Sequence, residues 1–258
     1  MKLHFCKYQG TGNDFILLDN RSGQIQLTTA QIHQLCDRRF GIGADGLMLL
    51  ELEQGQDFRM VYYNADGNES TMCGNGGRCI VAFAKRLGVI AHTARFMAID
   101  GLHSATISEA GEVNLQMIDV EQISHTDTHS ILNTGSPHYV VWVEDAGAVN
   151  VFGQGRQIRN QDEFQPKGIN VNFAQVKKDT IIVRTYERGV EDETYSCGTG
   201  VTAVAIASVK DKTGQFDIAI ETPGGKLSVS FEKDTPHTAI NVLLSGAATY
   251  VFEGDIEI

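Results

Sequence analysis

One short pattern occurs twice in this chain, and each copy opens a run that reads as a helix. The first is Cys73-Gly74-Asn75-Gly76-Gly77-Arg78, followed by Cys79-Ile80-Val81-Ala82-Phe83-Ala84. The second is Cys197-Gly198-Thr199-Gly200, followed by the largely apolar Val201 to Ala207. The two cysteines lie 124 residues apart in a chain of 258. Other features recur around them in the same order. Gly12-Asn13-Asp14-Phe15-Ile16-Leu17 resembles Gly135-Ser136-Pro137-His138-Tyr139-Val140, and Gly41-Ile42-Gly43-Ala44-Asp45-Gly46 parallels Gly168-Ile169-Asn170-Val171-Asn172. Tyr63-Asn64-Ala65-Asp66-Gly67 precedes Cys73 as Tyr186-Glu187-Arg188-Gly189 precedes Cys197. Four paired features in one order imply an internal duplication. The expected architecture is two related mixed α/β domains, each placing one cysteine at a helix start.

The remaining pattern is strand-rich. Apolar or alternating runs at Phe15–Asp19, Leu47–Leu52, Phe58–Tyr63, Tyr139–Val143 and Ile181–Tyr186 are bounded by Gly, Asn and Asp. Thr28 or Thr29 can cap a short helix carrying Ile32, Leu35 and Cys36 on one face. With 42% hydrophobic and 21% charged residues the composition is that of a globular protein. A net charge of −11 with no basic run argues against nucleic acid or an anionic membrane as partner. The first residues, Met1-Lys2-Leu3-His4-Phe5-Cys6-Lys7, turn polar before a signal-peptide core can form. Five cysteines without a disulfide-scaffold spacing suit a reducing, cytoplasmic compartment.

Glycines let backbone approach a ligand closely. A helix start presents N–H groups and a positive dipole end to a thiol or an anion beside it. That setting lowers a thiol's pKa toward neutrality, where it can exchange protons. A single buried thiol at a helix start is more often a small apolar residue. Two such thiols in a duplicated chain have one joint explanation: an opposed pair serving a ligand in an interdomain cleft. Cys79, Cys6 and Cys36 lie within apolar runs and read as core. His125 and His129 lack the glutamate of a zinc-peptidase helix and read as a solvated turn. Gly10-Thr11-Gly12 lacks the third glycine of a dinucleotide fingerprint, and Gly224-Gly225-Lys226-Leu227 lacks the parts of a P-loop. Neither a cofactor nor a metal site is expected.

Asn13, Asn64, Asn75, Asn170, Glu187 and Arg188 are polar residues out of keeping with a strand-rich core. An arginine can hold a carboxylate bidentately, and asparagines can recognise an amine and a carboxylate together. Taken with the cysteines, these residues carry a family pattern. The stretches are Gly10–Phe15, Asp37–Asp45, Asn64–Gly67 with Cys73–Cys79, Ser136–His138, Asn170–Phe173, and Tyr186–Gly189 with Cys197–Gly200. In that order, and over nearly the whole length, the chain resembles the diaminopimelate epimerases, which are cofactor-independent amino-acid epimerases.

The resemblance implies an α+β fold of two pseudo-symmetric mixed α/β domains, each a strand barrel around a central helix. Residues 1–118 with 249–258 would form the domain carrying Cys73, and 119–248 the domain carrying Cys197. The small-molecule substrate would be LL-2,6-diaminopimelate, converted reversibly to the meso form for lysine and peptidoglycan synthesis. Cys73 and Cys197 would be the catalytic acid and base. Asn13, Asn64, Asn170, Glu187 and Arg188 would line the site, and Gly74, Asn75, Gly198 and Thr199 would supply helix-start contacts. His138 and Ser136 would support them, and the protein would be a homodimer. Two positions depart from what many members have: Ser136 replaces an asparagine and Gly46 a glutamine. A proline or hydroxyproline racemase is the nearest alternative, although that group typically has histidine where this chain has Asn75. A phenazine-pathway isomerase would leave both thiols without a role. A non-catalytic amino-acid-binding relative and a cysteine hydrolase using Cys73 with His138 are the further alternatives.

Overall fold

A computed structural model describes residues 1–258. The chain divides into two compact units, Met1–Leu115 with Gly246–Ile258, and Gln116–Ser245. Unit one contains β1 (Lys2–Gly10), β2 (Asn13–Asp19), α1 (Thr29–Cys36), β3 (Gly46–Glu51) and β4 (Phe58–Asn64). It continues through α2 (Gly74–Arg86), β5 (Thr93–Ala98), β6 (Gly101–Ile107) and β7 (Glu112–Gln116). Unit two contains β8 (Ile123–His125), β9 (His129–Asn133), β10 (Pro137–Trp142), α3 (Val151–Arg159), β11 (Asn170–Lys177) and β12 (Thr180–Glu187). It ends with β13 (Asp192–Thr194), α4 (Gly198–Ser208), β14 (Gly214–Thr222), β15 (Gly225–Lys233) and β16 (Ile240–Ala247). The last strand, β17 (Thr249–Glu257), pairs antiparallel with β1 in unit one.

The duplication expected from sequence is present strand for strand. In unit one β1–β2 is antiparallel, β2–β3 parallel, β3–β4 antiparallel, β4–β5 parallel and β5–β6 antiparallel. In unit two the pairs β9–β10, β10–β11, β11–β12, β12–β14 and β14–β15 follow the same alternation. The extra β13 is a short hairpin arm on β12. Parallel strands need a crossover, and a helix supplies each one. Thus α1 and α3 link the first parallel pair of each unit, and α2 and α4 the second.

Each sheet is covered on both faces, which is why β2 and β3 read as continuous apolar runs. Ile16, Leu18, Leu47 and Leu49 pack with Ile32, Leu35 and Cys36 of α1. Phe15 and Met48 face α2, close to where a side chain on Gly76 would stand. At eight residues α1 is too short to be stable alone. A Thr28–Gln31 capping box starts it, and burying Ile32 and Leu35 contributes about 1.5–3 kcal/mol each. Helix α4 is apolar around its whole circumference, with Val201 to Ala207 fully buried, as a helix enclosed by strands must be. The strand-barrel class with a central helix in each repeat is borne out.

Helix α3 escapes a periodicity reading because Gly153 and Gly155 break its apolar stripe and lower its helix propensity. Packing decides instead. A Cβ on Gly155 would stand 2.4 Å from the Cβ of Tyr186, so only glycine lets α3 lie this close to β12. Asn150 caps the helix by accepting from the Gly153 N–H at 3.0 Å. His125 and His129 flank the turn between β8 and β9, with His125 Nδ1 on Ser130 Oγ at 2.8 Å.

Candidate active site

In both units a cysteine is the N-cap residue, with extended backbone, and the helix begins at the glycine after it. The first carbonyl of each helix belongs to the cysteine: Gly77 N–H donates to Cys73 O at 2.7 Å, and Val201 N–H to Cys197 O at 2.9 Å. The preceding N–H groups of such a turn have no acceptor within the helix, so they and the dipole favour negative charge beside the sulfur. Cys73 is half-buried and Cys197 buried. The remaining thiols are core. Burial pushes Cys36 and Cys79 up to about 12 and raises Cys6 as well, which keeps all three protonated at neutral pH.

Unit one brings Asn13, Gly74 and Asn75 to Cys73. The Cys73 thiol donates to Asn13 Oδ1 at 3.6 Å, and Asn13 Nδ2 donates to Asp45. Asp45 belongs to an ion cluster that holds the β1–β2 turn. Arg38 grips Asp14 through two bonds of 2.9 and 2.7 Å and reaches Asp45 at 2.8 Å, while Lys7 stands 2.8 Å from Asp14. Burial alone would raise the Asp14 carboxyl, but its bonds to Arg38 and Lys7 outweigh that and bring it to about 2. Asn64 is exposed at the end of β4, on a turn tied to Asp45 O by the Ala65 N–H at 3.0 Å. Gly46 has no room for a side chain. A Cβ there would meet Tyr63 O at 2.5 Å and the Tyr62 ring at 2.6 Å. Gly46→Gln is therefore expected to destabilise the fold by roughly 1–3 kcal/mol through overpacking. A thermal-melt midpoint unchanged from wild type would contradict this.

Unit two gathers the other residues into two networks. In one, Ser136 Oγ accepts from Asn170 Nδ2 at 2.8 Å and from Arg188 Nη2 at 3.2 Å, while Asn170 Oδ1 takes the Arg188 N–H at 2.8 Å. Asn170 thus holds Arg188 by its backbone, and Ser136 steadies its guanidinium. Glu187 stands half-buried beside it at the end of β12.

The second network is a directional relay ending at Cys197. Thr185 Oγ1 donates to Asn172 Oδ1 at 3.0 Å, which turns Asn172 Nδ2 toward His138 Nδ1 at 3.1 Å. His138 Nδ1 must then accept, so Nε2 carries the proton and donates to Thr199 Oγ1 at 2.9 Å. The Thr199 hydroxyl can then donate to Cys197 Sγ, 3.4 Å away, when the sulfur is ionised. A donor on the sulfur favours its anionic form. Asn172 and Thr185 were not singled out from sequence. The signal available was Asn170 and Asn172 at a spacing of two in an apolar strand, hence on one face. Gly200 is needed there too, because a Cβ would stand 2.4 Å from Asn172 Oδ1.

Burial, with Arg188 a second cause, pulls the His138 imidazole down to about 3. Both ring nitrogens are engaged, so His138 is neither a general base for a cysteine hydrolase nor a cation at neutral pH. The unfolded chain binds a proton at His138 near pH 6.5 that the folded chain refuses until about 3. Stability must then fall as pH drops below 6.5, by up to about 1.4 kcal/mol per pH unit from this group. His138→Gln is expected to lose less stability than wild type between pH 6.5 and 4 in denaturant titrations. Parallel pH curves for the two proteins would contradict the buried neutral imidazole.

Outside these networks, His4, Cys6 and Glu253 lie within 4.8 Å of one another. Asp255 holds His4 at 3.0 Å and Arg86 holds Glu253 at 2.7 Å, so the group reads as surface ion pairs.

Known proteins match over the whole chain. The family model described as diaminopimelate epimerase matches twice, at residues 5–123 and 130–251. A diaminopimelate epimerase of Flavobacterium psychrophilum is 54% identical, covering 99% of this chain and 100% of the relative. One from Aquifex aeolicus is 40% identical, covering 98% and 97%. Among solved structures, a phenazine biosynthesis protein of Bacillus anthracis superposes with a TM-score of 0.74 at 14% identity, covering 100% of both chains. A probable proline racemase from Agrobacterium radiobacter gives 0.69 at 15% identity, covering 99% of this chain and 93% of that one. At these identities the structural likeness speaks for the fold, whereas the sequence matches speak for the family. This chain belongs to the diaminopimelate epimerase family.

Proposed function

We propose that this protein interconverts LL- and meso-2,6-diaminopimelate without a cofactor, with Cys73 and Cys197 as the base and acid. The observation that carries this reading is the thiol at the N-cap of a buried helix in each repeat of a family member. Inverting a stereocentre needs one group to remove the α-proton and another to return a proton to the opposite face. One thiolate and one thiol suffice. Two thiolates serving one carbon would raise each other's pKa, so the pair shares one proton between them.

The carbanion has no cofactor to absorb its charge, so the substrate carboxylate must take it up as an enediolate-like dianion. Helix-start N–H groups at Gly74, Asn75, Gly198 and Thr199 are suited to that charge. Each preorganised donor of this kind is worth roughly 2.7–4 kcal/mol. Asn13 positions Cys73, and the relay from Asn172 through His138 and Thr199 positions Cys197. Arg188 suits the distal carboxylate, with Asn64 and Glu187 as further contacts to the distal amino-acid group. Asn170 and Ser136 hold Arg188 in place.

The proposal extends to a cytoplasmic homodimer. Strand β17 leaves Tyr250, Val251 and Phe252 at 36%, 51% and 45% exposure, an apolar run suited to a second copy. No helix is long and apolar enough to cross a membrane. The direct assay incubates the reduced protein with LL-diaminopimelate, without pyridoxal phosphate, and resolves the stereoisomers by chiral chromatography. Meso product is expected. L-Proline and trans-4-hydroxy-L-proline run beside it should remain unchanged, and turnover of either in place of diaminopimelate would favour the racemase reading. Saturable binding of diaminopimelate without turnover would favour a binding protein.

A further inference from the structure

The residue five positions after each cysteine makes the same contact in both units. Arg78 Nη1 donates to Gly74 O at 3.3 Å, and Thr202 Oγ1 donates to Gly198 O at 2.9 Å. A threonine is enough for that bond, yet unit one uses an arginine. Its side chain is fully buried and its Nε has no hydrogen-bond partner. The other bonds of the guanidinium go to neutral oxygens, Thr11 Oγ1 at 3.2 Å and Asn75 Oδ1 at 3.1 Å. A buried charge without a carboxylate is costly, and proteins retain one where another group uses it.

The groups that face Arg78 are few. Cys79 on the same helix is buried and held protonated. Asp14, on β2, acts on Cys79 and is already neutralised by Lys7 and Arg38. Burial works against the guanidinium, and the charges that would favour it are the sulfurs of Cys79 and Cys73. The bond from Arg78 to Gly74 O, on the residue after Cys73, sets the cation at the helix start that carries the first thiol, so Cys73 is the sulfur that can take the matching negative charge. The amide of Asn75 is affected as well. Arginine only donates, so Oδ1 of Asn75 must face Arg78 and Nδ2 must turn away as a donor.

We propose that Arg78 is a positioning residue for the first thiol: its buried charge favours the Cys73 thiolate, and its bond to Asn75 sets the orientation of that amide. The inference rests on the reading of Cys73 as an acid/base. In unit two Thr202 supplies the shared backbone contact and no charge, so Cys197 depends on the hydrogen-bond relay instead.

The test maps iodoacetamide alkylation of Cys73 and Cys197 from pH 5 to 10, by peptide mass spectrometry of the intact protein. It compares wild type with Arg78→Met, Arg78→Thr and Arg78→Lys. Removing a cation beside a thiol should move the Cys73 half-reaction pH upward by about one unit or more in the Met and Thr variants. The Cys197 profile should not move upward, since a coupled thiol ionises no less readily when its partner stays protonated, and kcat should fall at least tenfold. Arg78→Lys should keep the Cys73 profile near wild type, because the charge remains, yet lose kcat because the fork on Asn75 is gone. A folded Met or Thr variant with an unmoved Cys73 profile overturns the proposal. If both fail to fold, Arg78→Lys decides: a wild-type kcat or a profile shifted by a full unit overturns it. Failure of the acid/base reading would look different. Turnover would then survive complete alkylation of Cys73, whatever the Arg78 variants do to its profile.

Discussion

Cys73→Ala and Cys197→Ala are each expected to lower epimerisation by about 10⁴-fold or more while leaving substrate affinity within a few-fold of wild type. Positioned proton transfer by one group contributes about 10²–10⁴-fold, and this reaction needs two such groups in the same turnover. Under the proposed mechanism neither alanine variant completes inversion, since one of the two proton-transfer groups is gone and water must replace it. Serine is not expected to restore activity, because an alkoxide is far harder to form than a thiolate. Affinity should survive because the proposed helix-start donors at Gly74, Asn75, Gly198 and Thr199 and the Arg188 network are untouched. Calorimetric titration beside the chiral assay checks both halves. A variant retaining a tenth of wild-type turnover would remove that cysteine from the acid/base role.

Arg188→Met is expected to lower kcat/KM by about 10²-fold or more. Arg188 Nη2 donates to Ser136 Oγ and Nη1 to Lys167 O at 3.4 Å, both neutral oxygens, and it pairs with no carboxylate in its unit. Its charge is therefore available to a ligand carboxylate. Hydrogen bonds to charged groups are worth about 1.5–3 kcal/mol each, so losing a bidentate pair accounts for that fall. The loss should appear in KM first and in kcat to a smaller degree, since remote binding energy also orients the reacting end. Arg188→Lys should recover little, because a point charge does not reproduce the planar fork. Steady-state kinetics on the Met and Lys variants decide it. A lysine variant equal to wild type would show that charge alone matters at this position.

What sequence made legible was local. Glycine turns, helix starts and apolar runs are written in adjacent residues, so the duplication, α2, α4 and the strands β2, β3, β4, β10 and β12 could be read directly. What stayed hidden depends on packing between distant segments. Helix α3 carries two glycines that weaken its own pattern, and its close approach to Tyr186 is visible only in three dimensions. The relay from Thr185 through Asn172 to Thr199 joins β12, β11, β10 and the start of α4, and no spacing rule connects them. Gly46 reads from sequence as a departure from the family pattern, whereas the structure shows a position that Tyr62 and Tyr63 keep closed.

The central claim is that two thiols on opposite faces of one carbon exchange its proton. The most direct measurement runs the reaction in D2O from LL-diaminopimelate and follows the α-hydrogen by NMR and mass spectrometry. The account predicts meso product carrying one deuterium at the inverted carbon from its first appearance, with no inverted product from Cys73→Ala or Cys197→Ala. Meso product that keeps its original α-hydrogen throughout, or inversion that persists in either alanine variant, would contradict it.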